Sequence, residues 1–256
     1  MPDVSLIIPS YNHAETLTRA VVSGLAQSAL KEVIVVDDHS ADDSLKIAQE
    51  LAKKDVRVRV IQTPINIGPG GARNAGVRAA SGNYICFLDA DDELLAGFFD
   101  EALAMLATQE GMRVIKGEME FFDPVKGYIL PIFDPRHKSA VLSSACGMVM
   151  ERGLFLSISG FPEDHVFRGP SGGEDVAFMQ AVMEHCQPIG RIDRPCYKVW
   201  SQAGSHVDRF LASTRLKGES FEFVFIHPDQ TPDGLLAQAI KKYLSLVHDR
   251  LGENNL

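Results

Sequence analysis

The stretch "YICFLDADDELL" (residues 84–95) joins an apolar run to a cluster of acidic side chains. "YICFL" has the length and composition of a buried β-strand. It is followed at once by Asp89, Asp91, Asp92 and Glu93. Two carboxylates about 4 Å apart repel by roughly 4 kcal/mol at an effective dielectric near 20, so such crowding requires a cation or a group of donors. We therefore predict a ligand site where this strand ends.

A divalent cation and helix capping are the two explanations of these acids. Asp89 and Asp91 stand two positions apart, so their carboxylates point to the same side of an extended or turn backbone. Carboxylate oxygens suit Mg²⁺ or Mn²⁺. In the alternative, Asp91 or Asp92 caps the following helix and Glu93 lies in its first turn. Capping leaves Asp89 unexplained, so we favour the cation site.

The sequence around this stretch alternates between strand and helix patterns over roughly the first 110 residues. "VSLIIPSY", "KEVIVVDD", "VRVRVIQT" and "NYICFLD" are typical of strands, and helical stretches separate them. Near-continuous apolar strands of this kind predict an α/β fold with a parallel sheet covered on both faces. Ligands of such sheets bind beyond the carboxyl ends of the strands. We therefore expect "SYN", "DDHS", a glycine-rich loop and "DADD" to face one crevice.

The rest of the chain has a looser pattern. Residues 112 to 205 predict short strands and one helix that continue the same sheet, without a linker or an internal repeat. The last ~50 residues are helical in pattern, and "DGLLAQAIKKYLSLVHDRL" predicts an amphipathic helix. We expect this helix to pack on its own domain; a homodimer contact through the C-terminal helices and a membrane-surface helix are the alternatives. The apolar stripe of that helix is formed by Leu236, Ile240, Tyr243 and Val247.

Composition narrows the class of protein. The chain has 256 residues, of which 45% are hydrophobic, and a net charge of −9. This is typical of a globular domain and argues against a nucleic-acid or anionic-lipid partner. The apolar runs are shorter than the ~20 residues of a membrane span, and the first residues lack the pattern of a signal peptide. The four cysteines show no CxxC spacing, so we expect reduced thiols in a cytoplasmic protein.

Five segments, in this order and spacing, resemble the signatures of family 2 glycosyltransferases with the GT-A fold: "SLIIPSYN", "VIVVDDHS", "NIGPGGARNAG", "FLDADDE" and "GFPEDHVFRGPSGGEDVAF". The resemblance implies a Rossmann-like, mixed but mainly parallel sheet flanked by helices, with a C-terminal helical extension. It also implies inverting transfer of a sugar from a nucleotide diphosphate-sugar to an acceptor hydroxyl. The implied divisions are a glycosyltransferase domain over 1–205, its nucleotide-sugar half near 1–110 and acceptor half near 111–205, and an extension over 206–256.

The resemblance assigns roles to the acids after the fourth strand. Asp91 would ligate Mg²⁺ or Mn²⁺, and Asp89, with Ala90 between them, would hydrogen-bond the ribose or the donor sugar. A cation at this place suits the chemistry, because negative charge grows on the leaving diphosphate when the anomeric bond breaks.

The first two strands are followed by residues that would hold the base. In "PSYN", Pro9, Tyr11 and Asn12 would contact it, with the Tyr11 ring as a stacking surface; the alternative is an ordinary turn. Asp38 would accept an N–H from uracil, which favours a UDP-sugar donor. In the alternative, Ser40 or Asp38 caps a helix that begins near residue 41.

The glycine-rich segment contributes Gly68 and Arg73. Glycine allows close approach of the backbone to a ligand, and arginine suits a base carbonyl or a phosphate. A flexible turn followed by a surface arginine is the alternative. The segment follows the third strand and lacks Lys-Ser/Thr, so it is neither a Rossmann fingerprint nor a Walker A loop.

"GGEDVAF" places two acids at the start of a helix. By resemblance, Asp175 is the general base that removes the acceptor's proton and Glu174 supports it; acids at a helix N-terminus for dipole reasons are the alternative. Gly147, Gly172 and Gly173 would leave room for the acceptor. Many members of the family carry a histidine on a loop that closes over the diphosphate, and Trp200 stands near that position here. His206 follows later in the chain; it would reach the metal or phosphate, and a solvated loop residue is the alternative.

Two other classes of protein remain as alternatives to a single-transfer glycosyltransferase of polysaccharide or glycan biosynthesis. A sugar-phosphate nucleotidyltransferase would need a GxGxR-type signature after the first strand, which "SYNHAET" lacks. A non-catalytic sugar-nucleotide-binding module would be suggested by loss of Asp175 or Asp91, and both are present.

Overall fold

A computed structural model describes residues 3–123, 127–168, 172–201, 205–224 and 234–253, apart from the side chains of Tyr128, His206 and Glu253. The strands are β1 (Val4–Ser10), β2 (Leu30–Asp37), β3 (Val58–Gln62), β4 (Tyr84–Phe87), β5 (Glu93–Leu94), β6 (Val114–Asp123), β7 (Gly127–Leu130), β8 (Met148–Glu151), β9 (Ile189–Trp200), β10 (Thr214–Lys217) and β11 (Ser220–Phe223). The helices are α1 (Leu17–Leu25), α2 (Ser44–Lys54), α3 (Gly68–Ala79), α4 (Phe98–Thr108), α5 (Pro135–Ser143), α6 (Arg152–Ser157), α7 (Glu174–His185), α8 (His206–Ala212) and α9 (Leu235–Glu253), with a 3₁₀ turn at His165–Arg168.

Within these residues, nine strands form one sheet in the order β3-β2-β1-β4-β8-β6-β9-β5, with β7 beside β6. The first four strands pair in parallel, as β1 with β2, β1 with β4 and β2 with β3. Every residue of β1 is buried, because helices cover both faces of a parallel sheet. The predicted parallel first half is confirmed.

The second half of the chain extends the same sheet, as expected. Strand β8 is antiparallel to both β4 and β6, and β6 is parallel to β9. The short β5 pairs antiparallel with β9 at the far edge. The chain therefore crosses from the centre of the sheet to its edge through the acidic segment.

No helix begins at the acidic cluster. The N–H of Asp92 donates to the carbonyl of Asp89 at 3.1 Å, which makes a turn. Glu93 lies in β5, and α4 begins only at Phe98. The capping explanation of Asp91, Asp92 and Glu93 is therefore wrong.

The glycine-rich segment is not a loop, which corrects the prediction. Gly68, Gly70 and Gly71 form the first turn of α3. A Cβ at Gly70 would lie 3.0 Å from the carbonyl oxygen of Pro162 and 3.3 Å from Cγ of Glu174. The absent side chain therefore lets the start of α3 pack against the chain that carries Glu174.

The C-terminal region packs on its own domain. Leu236, Tyr243 and Val247 of α9 are buried, and the Tyr243 hydroxyl donates to the carbonyl of Gly160 at 2.5 Å. The region also contains an antiparallel hairpin of β10 and β11, which the sequence pattern did not predict. A homodimer contact stays a prediction. Among the described residues, no helix is both long enough and apolar enough to cross a bilayer.

Candidate active site

The predicted segments converge at the carboxyl edge of the parallel strands. The backbone N–H of Asp38 donates to the carbonyl of Ser10 at 2.8 Å, and that of Asn12 donates to Oγ of Ser40 at 3.0 Å. The guanidinium of Arg73 in turn contacts Asp89. These segments lie together, as expected, because the parallel strands β1, β2 and β4 end at the same edge. That they line one ligand crevice stays a prediction.

The buried carboxylate of Asp38 ties the end of β2 to the start of α3. It accepts hydrogen bonds from Oγ1 of Thr63 at 2.8 Å and from the backbone N–H groups of Ile67 and Gly68 at 2.9 and 2.8 Å. Helix α2 begins at Ser44, so the alternative of a cap near residue 41 is wrong. Contact of Asp38 with uracil stays a prediction.

Tyr11 directly follows β1, at the carboxyl edge of the parallel strands. Pro9 is buried within β1, whereas 48% of Tyr11 is exposed. Asn12 has a φ of 59°, and its Oδ1 accepts the backbone N–H of residue 41 at 2.8 Å. The exposed ring has the accessibility that stacking on a base requires, and that role stays a prediction.

Arg73 joins two acidic motifs. Its side chain is 3% exposed, and it contacts Oδ1 of Asp89 at 2.7 Å, Oε1 of Glu174 at 3.0 Å and Oδ1 of Asp175 at 2.9 Å. The alternative of a surface arginine is therefore wrong. Its predicted contact with a base or phosphate stays a prediction, because carboxylates of the protein hold both terminal nitrogens in this structure.

The first two acids after β4 differ in their surroundings. Burial raises the pKa of Asp89, but the charge and hydrogen bond of Arg73, together with a hydrogen bond from the Cys146 thiol, outweigh it and hold that pKa below its usual value. The pKa of Asp91 is raised, mainly by burial and to a smaller extent by the negative charge of Asp89. The backbone carbonyl of Asp91 accepts from Arg19. Ala90, between the two acids, is buried.

The next two acids bind the tryptophan that ends β9. Oδ1 of Asp92 accepts the backbone N–H of Trp200 at 3.1 Å, and Oε2 of Glu93 accepts its indole N–H at 3.3 Å. The guanidinium of Arg19 lies 4.3 Å from the ring centroid. Burial raises the pKa of Asp92 well above its usual value. Asp92 and Glu93 therefore anchor this segment to Trp200 at the end of β9.

Asp175 is the second residue of α7, and its side chain is only partly buried. Burial raises the pKa of its carboxyl to about 7, against the opposing charge of Arg73. Oδ2 of Asp175 accepts the backbone N–H of Ala145 at 3.3 Å. Glu174, the preceding residue, is also buried. A carboxylate of near-neutral pKa has the property that a general base needs. The helix-dipole alternative is compatible with it, since both acids lie in the first turn of α7.

Two residues of this region were missed by sequence reasoning. His13 lies close enough for its charge to lower the pKa of both Asp89 and Asp91, against the larger effect of burial, and its place two positions after Tyr11 was the available signal. Lys116 is buried in β6 near Asp175, and a lysine within an apolar strand was the signal there. The side chain of His206 lies outside the described residues.

The donor set at Asp91 fits a hard divalent cation that also binds phosphate. Among the described residues, no group of three or more His, Cys, Asp or Glu side chains forms a metal site by itself. Mg²⁺ commonly takes one or two carboxylates and completes its coordination with substrate phosphates and water. The carboxylate of Asp91 receives no side-chain hydrogen bond within the described parts of the chain and is suited to that role.

Comparison with curated proteins finds relatives that match over part of the chain. Succinoglycan biosynthesis protein ExoO of Rhizobium meliloti (strain 1021) is 48% identical over 93 residues, which is 36% of this chain and 26% of that protein. A Campylobacter jejuni GalNAc(5)-diNAcBac-PP-undecaprenol β-1,3-glucosyltransferase is 40% identical over 99 residues, covering 38% of this chain and 32% of its own length. The matches thus span about a quarter to a third of these relatives.

Solved structures share the fold over a larger part of the chain. S. aureus TarS in complex with UDP-GlcNAc has a TM-score of 0.70 at 22% identity and covers 98% of this chain and 71% of that one. Another TarS structure has a TM-score of 0.64 at 25% identity over 77% of this chain and 60% of that one. The sequence model of glycosyl transferase family 2 matches residues 5–133, half of the chain. The chain belongs to glycosyl transferase family 2.

Proposed function

We propose that this protein transfers a sugar from a UDP-sugar to an acceptor hydroxyl, with inversion at the anomeric carbon and Asp175 as the general base. One observation carries the proposal: Arg73 joins the partly buried carboxylate of Asp175, of pKa about 7, to Asp89 in the segment that follows β4. A proton acceptor at this position, joined to the candidate donor side through Arg73, supports the proposal. The TarS structure with UDP-GlcNAc supports the choice of donor by likeness of fold.

The donor would lie across the carboxyl ends of β1, β2 and β4. Tyr11 would stack on the base, Asp38 would select uracil, and Asp89 would hydrogen-bond the ribose or the sugar. Asp91 would hold Mg²⁺ or Mn²⁺, and such a cation supplies charge stabilisation to the leaving diphosphate.

Asp175 would act on the acceptor. Its carboxylate takes the hydroxyl proton as the acceptor oxygen forms a bond to the anomeric carbon from the face opposite UDP. The bond from that carbon to the β-phosphate oxygen breaks, and its electron pair leaves with UDP. A base of pKa near 7 is largely unprotonated just above neutral pH and still takes a proton readily. Glu174 supports this arrangement by sharing the guanidinium of Arg73.

Hydrolysis of UDP-GlcNAc, with water in place of the unknown acceptor, tests the proposal. We expect slow release of UDP that requires Mn²⁺ and is lost in EDTA. Asp175→Asn should lower the rate by roughly 10²–10⁴-fold, the usual contribution of a general base, while binding of UDP measured by calorimetry stays within threefold. Family membership removes the nucleotidyltransferase alternative. Binding of UDP-GlcNAc without turnover under any condition would favour the non-catalytic module.

The acceptor is proposed at the level of chemical class. ExoO is described as a succinoglycan biosynthesis protein, and the Campylobacter relative as a glucosyltransferase of a polyprenol-linked glycan. We propose by this likeness that the acceptor is a sugar hydroxyl of a growing glycan.

A further inference from the structure

Lys116 is a buried cation that the proposed reaction does not use. It lies in β6 with 3% of its surface exposed. Its Nζ donates to the carbonyl of Ser144 at 2.8 Å and to the carbonyl of Cys146. Among the described residues, no carboxylate lies within salt-bridge distance of Nζ. Burial lowers the pKa of its ammonium to about 8, because an unpaired charge in a dry interior is unfavourable.

The two carbonyls belong to a turn, Ser144–Gly147, that lies against Asp175 and Asp89 of the candidate site. The backbone N–H of Ala145 donates to Oδ2 of Asp175 at 3.3 Å. The thiol of Cys146 lies close enough to Asp89 to lower the pKa of its carboxyl, against the larger effect of burial. This short turn is therefore in contact with the proposed base on one side and the donor-side carboxylate on the other.

The other end of the turn is fixed by backbone contacts. The N–H of Gly147 donates to the carbonyl of Phe87 at 3.3 Å, and its carbonyl accepts from Gly117 at 2.9 Å. Gly147 has a φ of +63°, and a Cβ there would lie 2.1 Å from the ring of Tyr197. This glycine is required by backbone conformation and packing, so the expectation that it leaves room for the acceptor is wrong.

We propose that Lys116 is a positioning residue that holds the Ser144–Gly147 turn and thereby sets Asp175 and Asp89 relative to each other. Gly147 is already anchored to Phe87 at the end of β4, whereas the Ser144 and Cys146 carbonyls are held by the ammonium. Without that ammonium the Ala145 N–H is no longer held toward Asp175. The inference rests on the proposed function, because it assumes that Asp175 is the base.

The charge of Lys116 also acts on the base. Its ammonium interacts favourably with Asp175. Removal of one positive charge stabilises the protonated form of Asp175, so the acidic limb of the pH–rate profile moves to higher pH. The charged and titratable groups that face Asp175 are Arg73 from α3, Glu174 from α7, Asp89 after β4, Lys116 from β6 and Cys146 from the turn.

Lys116→Met tests the proposal, with Lys31→Met as a matched control. Lys31 also donates to a backbone carbonyl, that of Ser81 at 2.9 Å, but at an exposed place. Hydrogen–deuterium exchange of the peptide covering Ser144–Gly147 should become at least tenfold faster in Lys116→Met and stay unchanged in Lys31→Met. With UDP-GlcNAc and Mn²⁺, kcat of hydrolysis should fall by about 10–100-fold, KM should stay within threefold, and the acidic limb should shift upward.

Each other outcome has a defined meaning. Unchanged exchange, unchanged kcat, or a rise in KM without a fall in kcat overturns the positioning role. If Lys116→Met does not fold, Lys116→Gln removes the charge, shortens the side chain and carries the same expectations. Asp175→Asn separates the two proposals: wild-type activity in that variant, or no hydrolysis by the wild type, overturns the proposed function and this inference with it. An inactive Asp175→Asn beside a fully active Lys116→Met overturns only the role of Lys116.

Discussion

The four acids that follow β4 have different partners and therefore different roles. Asp92 and Glu93 hold Trp200, and Asp89 pairs with Arg73. Asp91 retains a carboxylate that is available to a ligand. The crowding of like charge is thus relieved by donors from distant parts of the chain, and only one of the four carboxylates remains for a cation.

The proposed base predicts a pH dependence at the residue scale. The pKa of Asp175 is raised to about 7, and a general base acts only when unprotonated. We therefore expect kcat/KM for hydrolysis of UDP-GlcNAc to rise with pH up to about 7 and then level off, because this ratio reports the free enzyme. Initial rates from pH 5 to 9 measure it. A rate that is constant from pH 5 to 7 would contradict the assignment of Asp175.

At the scale of elements, the start of α3 carries the connection between the two motifs. Arg73 reaches Asp89 from this helix, and the first turn of the helix packs closely on Pro162 and Glu174 because Gly70 has no side chain. The position of one helix therefore controls the distance between the acids of the two motifs.

Gly70→Ala tests this packing. The added methyl would meet backbone and side-chain atoms at 3.0–3.3 Å, so we expect a loss of about 1–3 kcal/mol in the free energy of unfolding and a fall in kcat as Glu174 moves. Urea denaturation and UDP-GlcNAc hydrolysis measure the two effects. Gly153→Ala in α6, where a Cβ meets nothing within 4 Å, is the control and should be stabilising by about 0.5–1 kcal/mol. Equal effects of the two substitutions would contradict the role of close packing.

Helix α9 permits a second test at this scale. Val247 is fully buried, whereas Leu246 is 56% exposed. Val247→Ala should therefore lower the free energy of unfolding by roughly 1–3 kcal/mol, and Leu246→Ala should change it by less than about 0.5 kcal/mol. Urea denaturation measures both variants. If α9 forms a homodimer contact, Leu246→Ala should instead lower the dimer fraction in analytical ultracentrifugation.

At the scale of the whole molecule, the sheet brings donor-side and acceptor-side groups to one edge. Ligands that bind the native state raise its apparent stability in proportion to affinity. We expect UDP with Mn²⁺ to raise the melting temperature more than UDP in EDTA, and more than GDP with Mn²⁺. Asp91→Asn should abolish the additional rise in melting temperature that depends on Mn²⁺. Glu50→Gln, on the exposed face of α2, should preserve that rise. Equal shifts with Mn²⁺ and with EDTA would show that Asp91 does not hold a cation with UDP.

The sequence alone determined the alternating strands and helices of the first half, the convergence of its motifs and the family, because apolar runs and short motifs are local properties of a chain. The order of those strands in the sheet came from the tertiary structure. Only the tertiary structure decided which charged groups meet. Arg73 contacts Glu174 across 101 positions and Asp175 across 102, and Lys116 reaches the carbonyl of Cys146 across 30. Local patterns report periodicity and turn chemistry, whereas the partner of a buried charge depends on which distant elements the sheet places side by side.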